Sequence, residues 1–178
     1  MKSAVLVIDM QQGLCIGVDA AFDCEGTISR INTVIRKARQ AAVPVIFIQH
    51  ESTNGYLEHD SAAWQLAQGL NVNAADQKVR KTTPDSFLRT ELEDMLRSAG
   101  VDHLVVCGMH TEFCVDTTTR RALALGFPVT LVSDAHTSAG NSAITARQVI
   151  AHHNATLTNI SSFGPRVQAI ASESIVFA

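Results

Sequence analysis

The stretch "GMHTEFCVDTTTRRA", residues 108–122, sets Cys114 just past an apolar run and at the start of an expected helix. With Thr111 as N-cap, Cys114 is the third helical residue. Free backbone N–H groups and the positive end of the helix dipole would there lower its pKa and favour a nucleophilic thiolate. The same position suits an inert cysteine packed on a sheet, so position alone leaves both readings open. Cys107 lies inside the apolar run and reads as core. Cys15 and Cys24 flank a loop without catalytic context, and no C-x-x-C pair is present.

Two further residues could serve a thiol. Asp9 closes the apolar run "SAVLVID", where a carboxylate is expensive unless it is paired or hydrogen-bonded. It is either an acid capping a turn or a general base able to take the thiol proton. Lys81 is either a solvated surface lysine or a cation holding that carboxylate. Lys78 and Arg80 nearby leave the choice open on chemistry alone. Gln11, His50, Trp64, Phe113 and His136 are expected to line a substrate pocket, with Tyr56 a further wall candidate. Such aromatics equally suit core or interface. His152 and His153, expected in the last turn of a helix, carry no catalytic expectation.

The elements that must position these residues read as an alternation of strands and helices. Strands are expected over 3–9, 43–49, 77–81, 102–108, 127–135 and 155–160, with a short last one at 174–177. Helices are expected over 27–42 with Thr27 as N-cap, 86–99 closed by Gly100, 111–125 closed by Gly126, 142–153 with Asn141 as N-cap, and over 162–171. Residues 50–76 are irregular, with one short helix near Trp64. Right-handed βαβ crossovers then predict a three-layer α/β/α sandwich, Rossmann-like, with a mostly parallel sheet of about six strands in one domain, 1–178. In such sheets the site lies beyond the carboxyl ends of the strands. Asp9, His50, Glu51, Lys81, Cys114, Asp134 and His136 all fall there.

A net charge of −3, without a Lys/Arg cluster interleaved with aromatics, gives no electrostatic footprint for nucleic acid. The apolar runs are far shorter than the ~20 residues a membrane helix needs. Asp9 interrupts the N-terminal apolar run before any signal-peptide core is complete, so a cytoplasmic protein is expected. With 46% hydrophobic residues, apolar surface is left for a homo-oligomer, a dimer or tetramer. "DMQQGLCIG" lacks a phosphate-binding loop, and no cofactor is expected.

The ordered set "VLVIDMQ", Lys81 followed by Ser86, Phe87, Thr90 and Leu92, "G-x-x-T-x-x-CV" at Gly108, Thr111, Cys114 and Val115, and "SDA" at 133–135 resembles the isochorismatase-like cysteine hydrolases. That family includes nicotinamidases, N-carbamoylsarcosine amidohydrolases and isochorismatases. The resemblance covers nearly the whole chain. It implies a triad of Asp9, Lys81 and Cys114, Lys81 rather than Lys78 having the right spacing to Phe87. It also implies a cis peptide at Met109–His110 and an oxyanion hole from the His110 and Cys114 N–H groups. The implied activity is hydrolysis of a small amide, ureido or carbamoyl compound through a thioester. The alternatives are vinyl-ether hydrolysis of the isochorismate type, which needs no thiol, and a non-catalytic small-molecule-binding oligomer. Nicotinamidases carry a metal on an Asp-x-His pattern after the second strand. Here the aligned residues read His50-Glu51-Ser52, so no metal is expected.

Overall fold

The computed structural model describes residues 1–18, 20–53 and 55–177. Six strands, β1 (Ser3–Ile8), β2 (Val45–His50), β3 (Gln77–Lys81), β4 (His103–Met109), β5 (Val129–Thr137) and β6 (Val167–Ile170), form one sheet in the order β3-β2-β1-β4-β5-β6. Every pairing is parallel. β1 is the centre of the crossover pattern: the chain winds to β2 on one side and returns to β4 on the other. The loops after β1 and β4 therefore part at a topological switch point, where open α/β sheets leave a crevice.

Helices cover both faces, as parallel strands require. On one face α2 (Cys24–Gln40) lays Ile31, Val34, Ile35 and Ala38 against Val5, Val7, Phe47 and Val105. On the other, α3 (Leu92–Ser98), α4 (Asp116–Ala124) and α5 (Ala146–Asn159) bury Leu92, Leu96, Leu123 and Leu157 against Leu6, Ile8, Ile48 and Val106. A four-residue α1 (Gln12–Cys15) follows the first strand. No helix of the described residues is long and apolar enough to cross a membrane.

β4 approaches β1 most closely at Gly108. Its φ is +119°, and a Cβ there would stand 2.0 Å from the Ile8 carbonyl oxygen. Only glycine fits, and the close approach sets the end of β4 directly beside Asp9. The β4–β5 register shifts at the same level, between Val106 and Gly108.

Several expected elements differ. α2 begins at Cys24, so Thr27 lies inside it. The helix expected over 86–99 occupies only Leu92–Ser98. Upstream, Asp85 Oδ1 accepts from Phe87 N and Thr90 Oγ1 donates to Ser86 O, local bonds that compete with a helical ladder. The strand expected at 155–160 is the second half of α5, where Leu157 continues the buried stripe of Val149. That helix starts at a Thr145/Gln148 capping box, while the Asn141 side chain serves a turn. His152 and His153 are thus mid-helical. Residues 167–170 form β6 where a helix is expected. A 3₁₀ turn (Ser172–Ser174) and coil replace the last strand, and the segment around Trp64 is turns.

Candidate active site

β1 delivers Asp9 in the left-handed region, φ +51°, a conformation Asp tolerates better than most residues. The turn aims its carboxylate inward, where Asp9 is 2% exposed. β3 delivers Lys81, whose side chain is fully buried, and its ammonium lies 2.7 Å from Asp9 Oδ2. The ammonium also lies 3.1 Å from the Thr83 carbonyl, 3.2 Å from His50 Nδ1 and 3.2 Å from Cys114 Sγ. Three N–H donors thus face four partners. Asp9 and Thr83 hold two, and the third is shared between imidazole and sulfur. Among the described residues the other carboxylate oxygen, Asp9 Oδ1, is buried without a hydrogen-bond partner. Asp9, His50 and Cys114 place their ligating atoms within 4.8 Å of one another.

Cys114 sits in a π-type turn (Thr111–Val115) that leads into α4. A regular helix start would pull the thiol down; its pKa is pushed up to about 12, first by burial and then by the Asp9 charge, with Lys81 opposing. The turn offers less than a regular helix start. The Phe113 and Val115 N–H groups already bond the His110 carbonyl. Thr111 is no cap either: its hydroxyl bonds His136. The Met109–His110 peptide is cis. Among the described residues the His110 N–H has no backbone acceptor, so it is free for a ligand oxygen.

The remaining candidates divide. His50 stands at the site, half-buried, its pKa lowered by burial and by Lys81; a neutral imidazole accepts from the ammonium. Gln11 is fully buried, and its amide is spent on the His50 and Trp64 backbones, accepting from His50 N at 2.8 Å and donating to both carbonyls at 2.9 Å. It clamps the site's wall and leaves nothing for a substrate. Trp64 packs its ring edge-on to His59 and borders a cavity of about 460 Å³ beside the Lys81 strand. Phe113 projects from the Cys114 turn, 58% exposed. Tyr56 is exposed, with its hydroxyl on the Gly13 carbonyl. His136 is buried on the far side of the turn, at a separate cavity between α2 and α5. Asp134 holds the chain's end, accepting from Ser172 N and Oγ at 2.8 and 3.0 Å. Sequence reading missed Thr83, which acts through a backbone carbonyl that any residue would supply.

Residues 3–165 match the isochorismatase domain. The chain belongs to the isochorismatase family. It is 34% identical over 134 residues to a streptothricin hydrolase of Streptomyces noursei, a match spanning 75% of this chain and 53% of that protein. The chain thus spans about half the length of that relative. Nicotinamidase 3 of Arabidopsis thaliana is 31% identical over 175 residues, covering 89% of this chain and 80% of that one. The crystal structure of an isochorismatase family protein superposes with a TM-score of 0.87 at 33% identity, covering 95% of this chain and 98% of that chain.

This isochorismatase-family site does not fit the metal that the nicotinamidase pattern implies. Ser52 stands where that pattern has its histidine, and Glu51 beside it is held by Arg80 at 2.8 and 3.1 Å. The donors Asp9, His50 and Cys114 surround the Lys81 ammonium, which fills the place a metal cation would take. A divalent ion there would face a unit positive charge at contact distance.

Proposed function

We propose that this protein is a cysteine hydrolase of C–N bonds in small amide, ureido or carbamoyl compounds, with Cys114 as nucleophile, Asp9 as proton carrier and Lys81 as the cation that fixes both. One observation carries the reading: a buried thiol beside a carboxylate whose Oδ1 has no hydrogen-bond partner among the described residues. A thiol held protonated cannot attack alone, so the base must take its proton as the bond forms. Asp9 Oδ1 accepts the proton while Cys114 Sγ bonds the substrate carbonyl carbon. The carbonyl oxygen gains the negative charge and meets the His110 and Cys114 N–H groups. Asp9 then protonates the leaving nitrogen, the C–N bond breaks and a thioester remains. Water gives its proton to Asp9, attacks the thioester carbonyl, and Cys114 leaves and is reprotonated.

The likeness to Nicotinamidase 3 supports the amide chemistry, and the base–thiol pair favours it over vinyl-ether cleavage. Exposed Ile16, Val18 and Phe113 support a homo-oligomer, dimer or tetramer, and four unpaired cysteines fit a reducing, cytoplasmic location. The test is a panel of small primary amides, ureas and carbamoyl compounds followed by ammonia or amine release, with Cys114→Ala as control. Release by the wild type alone supports the reading. Release by both proteins, or cleavage of isochorismate alone by both, contradicts it.

A further inference from the structure

The turn that presents Cys114 is tied to the sheet by a hydrogen-bond chain that lies outside the reacting group. Asn154 Nδ2 donates to the Ser133 carbonyl at 2.9 Å. Its Oδ1 therefore faces His136 Nε2, at 3.0 Å, and must accept. The proton on His136 is thus fixed at Nε2. Nδ1 is left bare, and it accepts from the Thr111 hydroxyl at 2.9 Å. The chain runs from α5 through β5 to the first residue of the π-type turn, next to His110. Neighbouring Glu112 is tied to the same region, accepting from Ser138 Oγ at 2.7 Å.

We propose that Thr111, His136 and Asn154 form a positioning relay that holds the His110–Cys114 turn so that its N–H groups are aimed at the oxyanion before substrate arrives. This rests on the covalent reading above. Preorganised donors are worth most when nothing must move to reach the developing charge. A π-type turn is rare and found mostly at functional sites, and here its bond from Val115 N to His110 O spans 3.2 Å. Thr111 and His136 are 0% and 2% exposed, so water offers no substitute partner. Burial keeps His136 neutral, its pKa lowered to about 4, so the relay holds one protonation state around neutral pH.

The relay makes a claim that two reactions of Cys114 separate. p-Nitrophenyl acetate acylates the thiol through an oxyanion: the S–C bond forms, the ester C–O bond breaks, Asp9 takes the thiol proton and p-nitrophenolate leaves. Iodoacetamide alkylates the same sulfur by displacement of iodide, with no oxyanion. His136→Phe and Thr111→Val should slow acylation by roughly 10- to 100-fold, short of or near the loss of one oxyanion donor, while alkylation stays within about 3-fold. His136→Gln, which still offers one acceptor and one donor, should recover most of the acylation rate. Equal slowing of both reactions would mean general disturbance of the site, and no slowing in Thr111→Val would mean an idle bond; either overturns the relay. Failure of the covalent reading looks different: the wild-type protein would alkylate yet release no p-nitrophenolate, and the relay would fall with it.

Discussion

Cys107 and Cys114 are seven residues apart, both buried, and burial pushes both thiols up. Cys107, inside β4 and fully buried, donates to the Leu6 carbonyl at 3.5 Å and belongs to the apolar cluster with Val5, Val7 and Val105. Cys114, one turn beyond the strand, meets the Lys81 ammonium and the Asp9 carboxylate. Burial alone thus gives an inert thiol. Burial with an unsatisfied base alongside gives one that can be deprotonated in the act of attack. What separates core from site is the group opposite the sulfur.

The comparison breaks most visibly on deletion. Cys114→Ala should lower turnover by roughly 10⁴-fold or more, while Cys107→Ala should leave turnover near normal and cost about 1–2 kcal/mol of stability. Steady-state kinetics and denaturant titration check both. Asp9→Asn sharpens it. Amide turnover should fall by about 10³-fold with the loss of the proton carrier. Because the Asp9 charge also raises the thiol pKa, removing it lets that pKa fall and partly offsets the lost base, so alkylation of Cys114 near neutral pH should fall far less than amide turnover. Alkylation falling in step with turnover would contradict this sign.

Lys81→Ala should cost about 100-fold in turnover, and about 3–5 kcal/mol of stability as a buried carboxylate loses its cation. Lys78→Ala, altering an exposed residue of the same strand, should change neither appreciably. A smaller effect concerns His50. Its pKa is lowered, so it is neutral near pH 7 and gains a proton only below the ordinary imidazole range. Protonation sets a second cation 3.2 Å from Lys81 and draws on Asp9. Activity should therefore hold through the ordinary imidazole range and fall only at more acid pH, and His50→Asn should remove that part of the acid limb. The smallest expected effect is that of a chelator. Metal analysis together with EDTA treatment should show unchanged turnover; stoichiometric metal whose removal abolishes activity would overturn the assignment of this pocket to the Lys81 ammonium.

The residues that meet in the site were legible because each stands at or just past the end of a strand of a parallel sheet, and topology brings strand ends together. Asp9, Lys81 and Cys114 needed only order along the chain and the family resemblance. The roles of Gln11 and His136 were not legible. Both are polar residues near strand ends, yet one is spent on backbone groups and the other faces the turn from behind, which depends on side-chain direction rather than spacing. The state of the Cys114 thiol was not legible because it depends on burial and on the Asp9 charge opposite the sulfur, which position in the sequence does not show. The last elements were misread from local propensity. "ATLTNI" carries β-branched residues, but packing of Leu157 on the sheet keeps it helical.

The most direct test follows a slow small-amide substrate of the wild-type protein by acid quench, proteolysis and mass spectrometry. The account predicts an acyl adduct on the peptide containing Cys114, formed before steady state, absent from Cys114→Ala and absent from the Cys107 sulfur. Sustained amide turnover with no adduct on Cys114, or an adduct on Cys107 instead, would contradict it.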